Sequence, residues 1–291
     1  MKNNRANLKV ATIKIVLAEA ASALRETSES PLLDAEVLLC KLLEKNRSYL
    51  RTWPDAELSS EQLHSYQILV SNRQQGKPIA YLTGQREFWS RDFLVSPDVL
   101  IPRPDTELLI ELSLALIPDN QPYKVIDLGT GSGIIAITLA AERPHTQIIA
   151  CDLSEAALAC AKANAVKHKA EHIQFYQSNW FDGIPDGNFK LIVSNPPYLA
   201  EDDDHLQQGD LRFEPLTALI SAKQGLHDIN IIADTARNRL ENGGFLLVEH
   251  GYNQQQGVQS LFRRLGYHNV QTHLDLSGQP RVTSGQYLPL A

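Results

Sequence analysis

At 291 residues the chain is longer than one hydrophobic core usually organises, so a main domain with a smaller companion is expected. Its 43% hydrophobic and 21% charged residues fit a globular protein; no apolar run approaches a membrane span, and the start lacks the basic, apolar and small-residue succession of a secretory leader, so a cytoplasmic chain with no membrane contact is expected. The net charge of −7 falls wholly on the part after residue 90, and no basic stripe offers a grip on duplex DNA, while Cys40, Cys151 and Cys160, odd in number and far from metal-ligand spacing, support neither a disulfide framework nor a zinc site.

In chain order, Ile13, Val16, Leu17, Ala20 and Leu24 fall at helical spacing and predict an amphipathic helix over 11–25. A second helix is expected from Ser30, with Pro31 suited to its first position, and Ser59 with Gln62 reads as a capping box opening a third helix that runs to about Gly76. Residues 1–75 are therefore expected to form a small helical bundle; helical spacing leaves its role open between packing and recognition of a partner, and substrate recognition is the expectation adopted. The alternation of aromatic and polar positions through Phe88, Trp89, Phe93 and Val95 predicts a β-hairpin in a linker of residues 76–103, closed by Pro102-Arg103-Pro104. A helix through Leu108, Leu109, Leu112 and Leu116 then opens the main domain, residues 104–291.

From Lys124 strand and helix signals alternate, which predicts an α/β fold with a mostly parallel, doubly wound, Rossmann-like sheet. The short apolar strand Val125-Ile126-Asp127-Leu128 runs into Gly129-Thr130-Gly131-Ser132-Gly133 and then a helix over 134–141. Glycines there let backbone approach a ligand at a helix N-terminus. The third glycine comes one residue too early for the dinucleotide spacing, and the carboxylate of Asp127 suits a cationic ligand better than a pyrophosphate. The next strand, 147–151, ends in Asp152, where such folds bond ribose hydroxyls. The alternative for Asp152 is capping the helix Glu155–Lys167, which Ser154 can also do. Finally, the strand Leu191-Ile192-Val193 meets Asn195-Pro196-Pro197-Tyr198, where two prolines forbid the ladder to continue and leave carbonyls free to face a ligand. The run Glu201-Asp202-Asp203-Asp204 reads as a solvated loop rather than a metal site.

Together these segments resemble a class I S-adenosylmethionine-dependent methyltransferase, with Asp127 to Gly133 as its first motif, Asp152 as its second-strand acid and Asn195 to Tyr198 as the motif of the branch that methylates planar nitrogens. Ile101-Pro102-Arg103-Pro104-Asp105-Thr106-Glu107, Asn179-Trp180-Phe181, Arg212-Phe213-Glu214-Pro215, Glu249-His250-Gly251 and Asp275-Leu276-Ser277-Gly278-Gln279-Pro280-Arg281 extend the similarity to the peptide chain release factor glutamine N5-methyltransferase family, from about residue 30 to the C-terminus. The resemblance implies S-adenosyl-L-methionine as cofactor, held by Asp127, Gly129, Thr130, Gly131, Ser132, Gly133, Asp152, Trp180 and Asn195, with Trp180 as an apolar wall for the adenine. It implies class 1 peptide chain release factors as partners and catalysis by Asn195, Pro196, Pro197 and Tyr198: the Asn195 oxygen and Pro196 carbonyl accept the two glutamine N–H bonds, and the Tyr198 ring face, rather than its hydroxyl, packs on the amide. Asp127 and Glu107 would be supporting groups near the cofactor, and Asn179 departs from an Asp common in the family. A DNA adenine methyltransferase would share the Asn195 cradle but need a basic face for DNA; a ribosomal-protein glutamine methyltransferase is the nearer rival, from which Arg212 to Pro215 differs.

Overall fold

The computed structural model describes residues 11–289; residues 1–10, which open the expected helical bundle and hold the stretch searched for a leader, and residues 290–291 lie outside the described residues. The chain divides into two compact units, Met1–Gly84 and Gln85–Ala291. The expected linker is thereby shared out, its first part ending the first unit and its hairpin beginning the second.

The first unit contains helices α1 (Ile13–Ala23), α2 (Pro31–Leu43), α3 (Arg47–Thr52), α4 (Ser60–Gln74) and α5 (Ile79–Thr83). Helices this short are marginal alone, so burial of their apolar faces decides the fold. Ile13, Val16, Ala20 and Leu24 of the first helical stretch close on Leu38, Leu39, Leu50 and Tyr66. The Tyr66 hydroxyl donates to the Ala35 carbonyl at 2.9 Å, which satisfies both groups in the core. The capping box is present, with Gln62 N–H on Ser59 Oγ at 3.1 Å and Ser59 N–H on Gln62 Oε1 at 2.9 Å. At α2, by contrast, the Ser30 side chain caps nothing. Ser28 takes the polar role there, its hydroxyl donating to Asp34 at 2.7 Å while Arg73 donates to the same carboxylate at 2.8 Å. The short α3 has too few turns for a readable period; Asn46 caps it by accepting the Tyr49 N–H at 3.0 Å.

The second unit begins with the hairpin β1 (Gln85–Phe88) and β2 (Arg91–Leu94), whose two-residue loop puts Trp89 and Ser90 at φ 51° and 56°. Loops with positive φ at both positions match the right-handed twist of the strands they join. After the 3-10 turn Pro104–Thr106 and helix α6 (Glu107–Leu116) come β3 (Lys124–Leu128), α7 (Ile134–Glu142), β4 (Gln147–Asp152), α8 (Glu155–Lys167), β5 (Gln174–Gln177) and β6 (Phe189–Ser194). The chain closes with α9 (His227–Ala236), β7 (Leu240–Glu249), α10 (Gln255–Arg264), β8 (His268–Leu274) and β9 (Pro280–Gln286). The seven strands order as β5-β4-β3-β6-β7-β9-β8, parallel except for β9, which runs against both its neighbours. The expected mostly parallel, doubly wound sheet is therefore present, and β9 is its reversed strand.

Alternation along each strand feeds two cores. Val125, Leu191, Val193 and Leu247 face α6 and α7, and Ile126, Ile192, Leu246 and Val248 face α9 and α10. Strand order reverses between β3 and β6, so their carboxyl ends open a crevice between helices on opposite faces, the place where such sheets bind ligands. Leu128 pairs with Ser194 at that end, and the Ser194 hydroxyl ties the two strands by donating to the Leu128 carbonyl at 2.8 Å.

Candidate active site

The glycine turn occupies one lip of the crevice. Gly129, Gly131 and Gly133 all have positive φ, 72°, 56° and 85°. At Gly129 a side chain would also meet the Trp180 ring, 3.4 Å from where its Cβ would stand, whereas a Cβ on Gly131 would meet nothing of the protein within 4 Å. Cys151 receives the Gly129 and Thr130 N–H groups on its carbonyl, each at 2.9 Å, which pins the turn to β4. Thr130 and Ser132 are buried, and the Thr130 hydroxyl donates to Asp127 Oδ2 at 2.6 Å. Asp127 Oδ2 also accepts the Ala136 N–H at 3.2 Å, but its buried Oδ1 has no partner among the described residues. Burial pushes the Asp127 carboxyl up to about 7, against the pull of those two bonds.

Across the turn, Asp152 accepts the Gly131 N–H at 2.9 Å on one oxygen and the Ser154 N–H at 2.9 Å on the other. Capping of α8 belongs to Ser154, which accepts the Ala157 N–H at 3.1 Å, so the alternative reading of Asp152 has no work left to do. Burial raises the Asp152 carboxyl while those backbone donors lower it. Trp180 sits at φ 49°, held there by the Ser178 hydroxyl on its carbonyl at 2.8 Å. A bulky residue in that conformation is costly and marks a position the surroundings over-determine. Asn179 turns outward to Asp182.

On the other lip, Pro196 is buried and nothing among the described residues donates to its carbonyl. The Asn195 side-chain amide donates through Nδ2 to Thr106 Oγ1 at 3.2 Å. Its oxygen is therefore the end left for the cleft, which Asn195 lines with Tyr198, Asp105 and Arg281. The Tyr198 carbonyl is gripped by Gln254 Nε2 at 2.8 Å, and Gly225 approaches it so closely that a Cβ would lie 2.0 Å away. Near Tyr198 lies the buried Glu249, whose Oε2 has no hydrogen-bond partner among the described residues. Burial pushes the phenol well above its ordinary range, helped by the Glu249 charge.

Glu107 is corrected. It accepts the Trp89 N–H at 3.1 Å and lines a separate depression with Glu87, Arg91 and Glu142, so it braces the hairpin instead of the cleft. In the acidic run Glu201, Asp202 and Asp204 are exposed, as a solvated loop requires, and Asp202 and Asp203 also border the cleft. Glu214, buried, pairs with Arg103 and accepts the Ile101 N–H at 3.2 Å, which fastens the segment before the 3-10 turn to the far wall.

Residues 105–210 match the methyltransferase small domain family and residues 16–84 the PrmC N-terminal domain family. The chain is 49% identical over 280 residues to the release factor glutamine methyltransferase of Vibrio cholerae, covering 95% of this chain and 97% of that protein. The Escherichia coli K12 release factor glutamine methyltransferase is 48% identical over 271 residues, covering 93% and 97%. The chain belongs to the release factor glutamine methyltransferase family. In fold it is similar to a methyltransferase from Pyrococcus furiosus, with a TM-score of 0.53 at 16% identity over 75% of this chain and all of that one. It is thus a methyltransferase of class I fold with S-adenosyl-L-methionine as cofactor.

Around this methyltransferase crevice the sequence-predicted residues Asp127, Gly129, Gly131, Asp152 and Trp180 gather on one lip, and Asn195, Pro196 and Tyr198 on the other. Pro197 follows the buried Pro196 and is partly exposed. Thr106, Glu249, Arg281 and Gln254 were missed as site residues. Three of them lie in segments that carried the family resemblance, Ile101 to Glu107, Glu249 to Gly251 and Asp275 to Arg281, and that shared pattern was the available signal. Gln254 had none.

Proposed function

We propose that this enzyme methylates the side-chain N5 nitrogen of the glutamine in the Gly-Gly-Gln motif of class 1 peptide chain release factors, in the cytoplasm, and so modulates translation termination. The observation that carries the reading is the orientation of Asn195: with its NH2 on Thr106, its oxygen is available to accept a hydrogen bond from a planar amide in the cleft.

The crevice fits the cofactor on three points. The unpartnered buried Oδ1 of Asp127 is matched by a cationic amino group, Gly131 leaves open the space its missing side chain would fill, and Asp152 has acceptor capacity beyond its two backbone bonds for a pair of hydroxyls. Trp180 over Gly129 offers the flat apolar wall for a base. When bound there, the cofactor supplies an electrophilic methyl group on a sulfonium.

An amide nitrogen is a weak nucleophile because its lone pair is delocalised, so the site's task is positioning. Asn195 Oδ1 and the Pro196 carbonyl accept the two glutamine N–H bonds, and the Tyr198 ring holds the amide flat. This removes orientational freedom before reaction. Both acceptors then strengthen as positive charge develops on nitrogen. The proton becomes acidic only as the new bond forms, so no strong base is needed at the start.

Methyl transfer from labelled S-adenosylmethionine to release factor, ribosomal protein and DNA, run side by side, tests the reading. Label confined to the Gly-Gly-Gln glutamine is expected. Label on ribosomal protein or DNA in preference to release factor would overturn it.

A further inference from the structure

Tyr198 can hold a flat amide in place only if its own backbone is fixed, and the chain fixes it from both sides. On entry, Pro196 and Pro197 lock φ at two successive residues. On exit, the peptide plane between Tyr198 and Leu199 is held at both ends: the Tyr198 carbonyl accepts from Gln254 Nε2 at 2.8 Å, and the Leu199 N–H donates to the Leu219 carbonyl at 2.9 Å. The Leu199 carbonyl accepts the Ser221 N–H at 2.9 Å in turn, so a short parallel bridge carries the chain away from the turn. Of these ties only the Gln254 bond comes from a side chain, which lies 56 positions further on, at the residue before α10.

Given the cradle reading above, on which this rests, we propose that Gln254 is a positioning residue for methyl transfer, setting the Tyr198 ring by holding the peptide plane that follows it. A glutamine amide matches the place at each of its polar groups. The Gly251 N–H donates to Gln254 Oε1 at 2.8 Å, which requires the oxygen on that side and turns the NH2 the other way. Two backbone carbonyls lie there, Tyr198 at 2.8 Å and Gln224 at 3.1 Å, one for each N–H. With both hydrogens spent on backbone, Gln254 has none to offer a substrate, although it borders the same cleft. A glutamate in its place would bring no donor and would set negative charge against two carbonyl oxygens, and an asparagine would fall one methylene short.

The segment on the far side of the clamp is itself forced. Lys223, Gln224 and Gly225 stand at φ 55°, 58° and 80°, three successive residues in the left-handed region, and Lys223 and Gln224 are exposed, so packing of their side chains does not account for the conformation. What the conformation achieves is close approach. It brings the Gln224 carbonyl onto the Gln254 amide and lays Gly225 against the Tyr198 carbonyl, where a Cβ would stand 2.0 Å from that oxygen and 2.5 Å from Gln254 Nε2. Backbone strain of this kind persists where the surroundings over-determine it and gathers at functional sites.

The test compares Gln254→Met, which keeps the length of the side chain but neither N–H, with Gln254→Glu, both in the full chain. Carbon-13 NMR of the Tyr198 ring reads its position with no substrate present, and single-turnover methylation across release-factor concentrations reads the consequence at saturating S-adenosylmethionine. In Gln254→Met the Tyr198 ring signals should move, efficiency toward release factor should fall at least about tenfold, and S-adenosylmethionine affinity by calorimetry should hold, with Gln254→Glu lower still in efficiency. The Tyr198→Ala background separates positioning from general support. If Gln254 acts through Tyr198, adding Gln254→Met to Tyr198→Ala costs no more than about twofold, because the ring it holds is gone, whereas a general structural role multiplies the two losses. Full losses in both backgrounds, unmoved Tyr198 ring signals, undiminished efficiency in Gln254→Met, or a fall in S-adenosylmethionine affinity as large as the fall in efficiency overturn the proposal. Tyr198→Ala with undiminished efficiency would instead overturn the ring's part in the cradle reading, and the ring signals still decide whether Gln254 sets Tyr198.

Discussion

Asp152 and Asn195 look alike in sequence, each a polar residue at the end of a strand, but their surroundings give them different parts. Asp152 holds the Gly131 and Ser154 N–H groups, so it both shapes the glycine turn and keeps lone pairs for hydroxyls. Asp152→Ala should weaken S-adenosylmethionine binding by about 1.5–3 kcal/mol, read by calorimetry, with Asp152→Asn in between because one acceptor remains. Unchanged affinity in the alanine variant would remove Asp152 from the cofactor site. Asn195→Ala should lower single-turnover methylation by about 10²–10³, the usual effect of deleting one preorganised polar group, and cofactor affinity by much less. If instead the melting temperature drops and the rate holds, Asn195 only terminates the turn. Tyr198→Phe keeps the ring face and should raise the KM for release factor less than Tyr198→Ala does.

The elements that carry these residues are held by contacts outside the crevice. The hairpin β1–β2 has Trp89 and Ser90 in its loop, both in the left-handed region that most residues avoid. Trp89 has a reason to be there, its ring N–H donating to Glu142 at 3.2 Å and its backbone N–H to Glu107. Ser90 is exposed, so Ser90→Gly should relieve the backbone without losing packing and stabilise the protein by about 1 kcal/mol in urea unfolding. A loss of stability would show that the Ser90 side chain, not the turn conformation, matters. The strand β9, reversed in the sheet, brings Arg281 into the cleft opposite Asp105 at 3.1 Å. No local period distinguishes one reversed strand from a further parallel one, because pairing direction is set by what the neighbours leave open.

For the whole molecule, two buried carboxyls make stability fall as pH rises. Glu249 ordinarily ionises near 4.5 and in the folded protein near about 7. Between those values the native chain keeps a proton that the unfolded chain has released, so ionisation favours unfolding across that window and adds nothing below or above it. The wild-type melting temperature should therefore decline more steeply from about pH 5 to about pH 7 than that of E249Q; parallel profiles would contradict the raised value. The same separation of parts bears on substrate. With the compact boundary at Gly84, a chain of residues 85–291 keeps every residue named in the crevice, and it should bind S-adenosylmethionine while methylating whole release factor more slowly than the full chain. Equal turnover would take residues 1–84 out of substrate recognition.

The sequence by itself determined the fold class, the helical first unit and the local turns on both lips of the crevice, because strand period, glycines and prolines act over a few neighbouring residues. Gly129 to Gly133, Asp152 and Asn195 to Tyr198 were legible for that reason. It also separated Ser154 from Asp152 as a possible cap, and the Ala157 bond decided between them. Only the tertiary structure moved Glu107 to the hairpin, brought Asp202 and Asp203 to the cleft, and placed Thr106 behind an asparagine 89 positions away in sequence. A hydroxyl or carboxylate acquires such a role from partners the sheet brings together across strand order, and that meeting has no signature in any one segment.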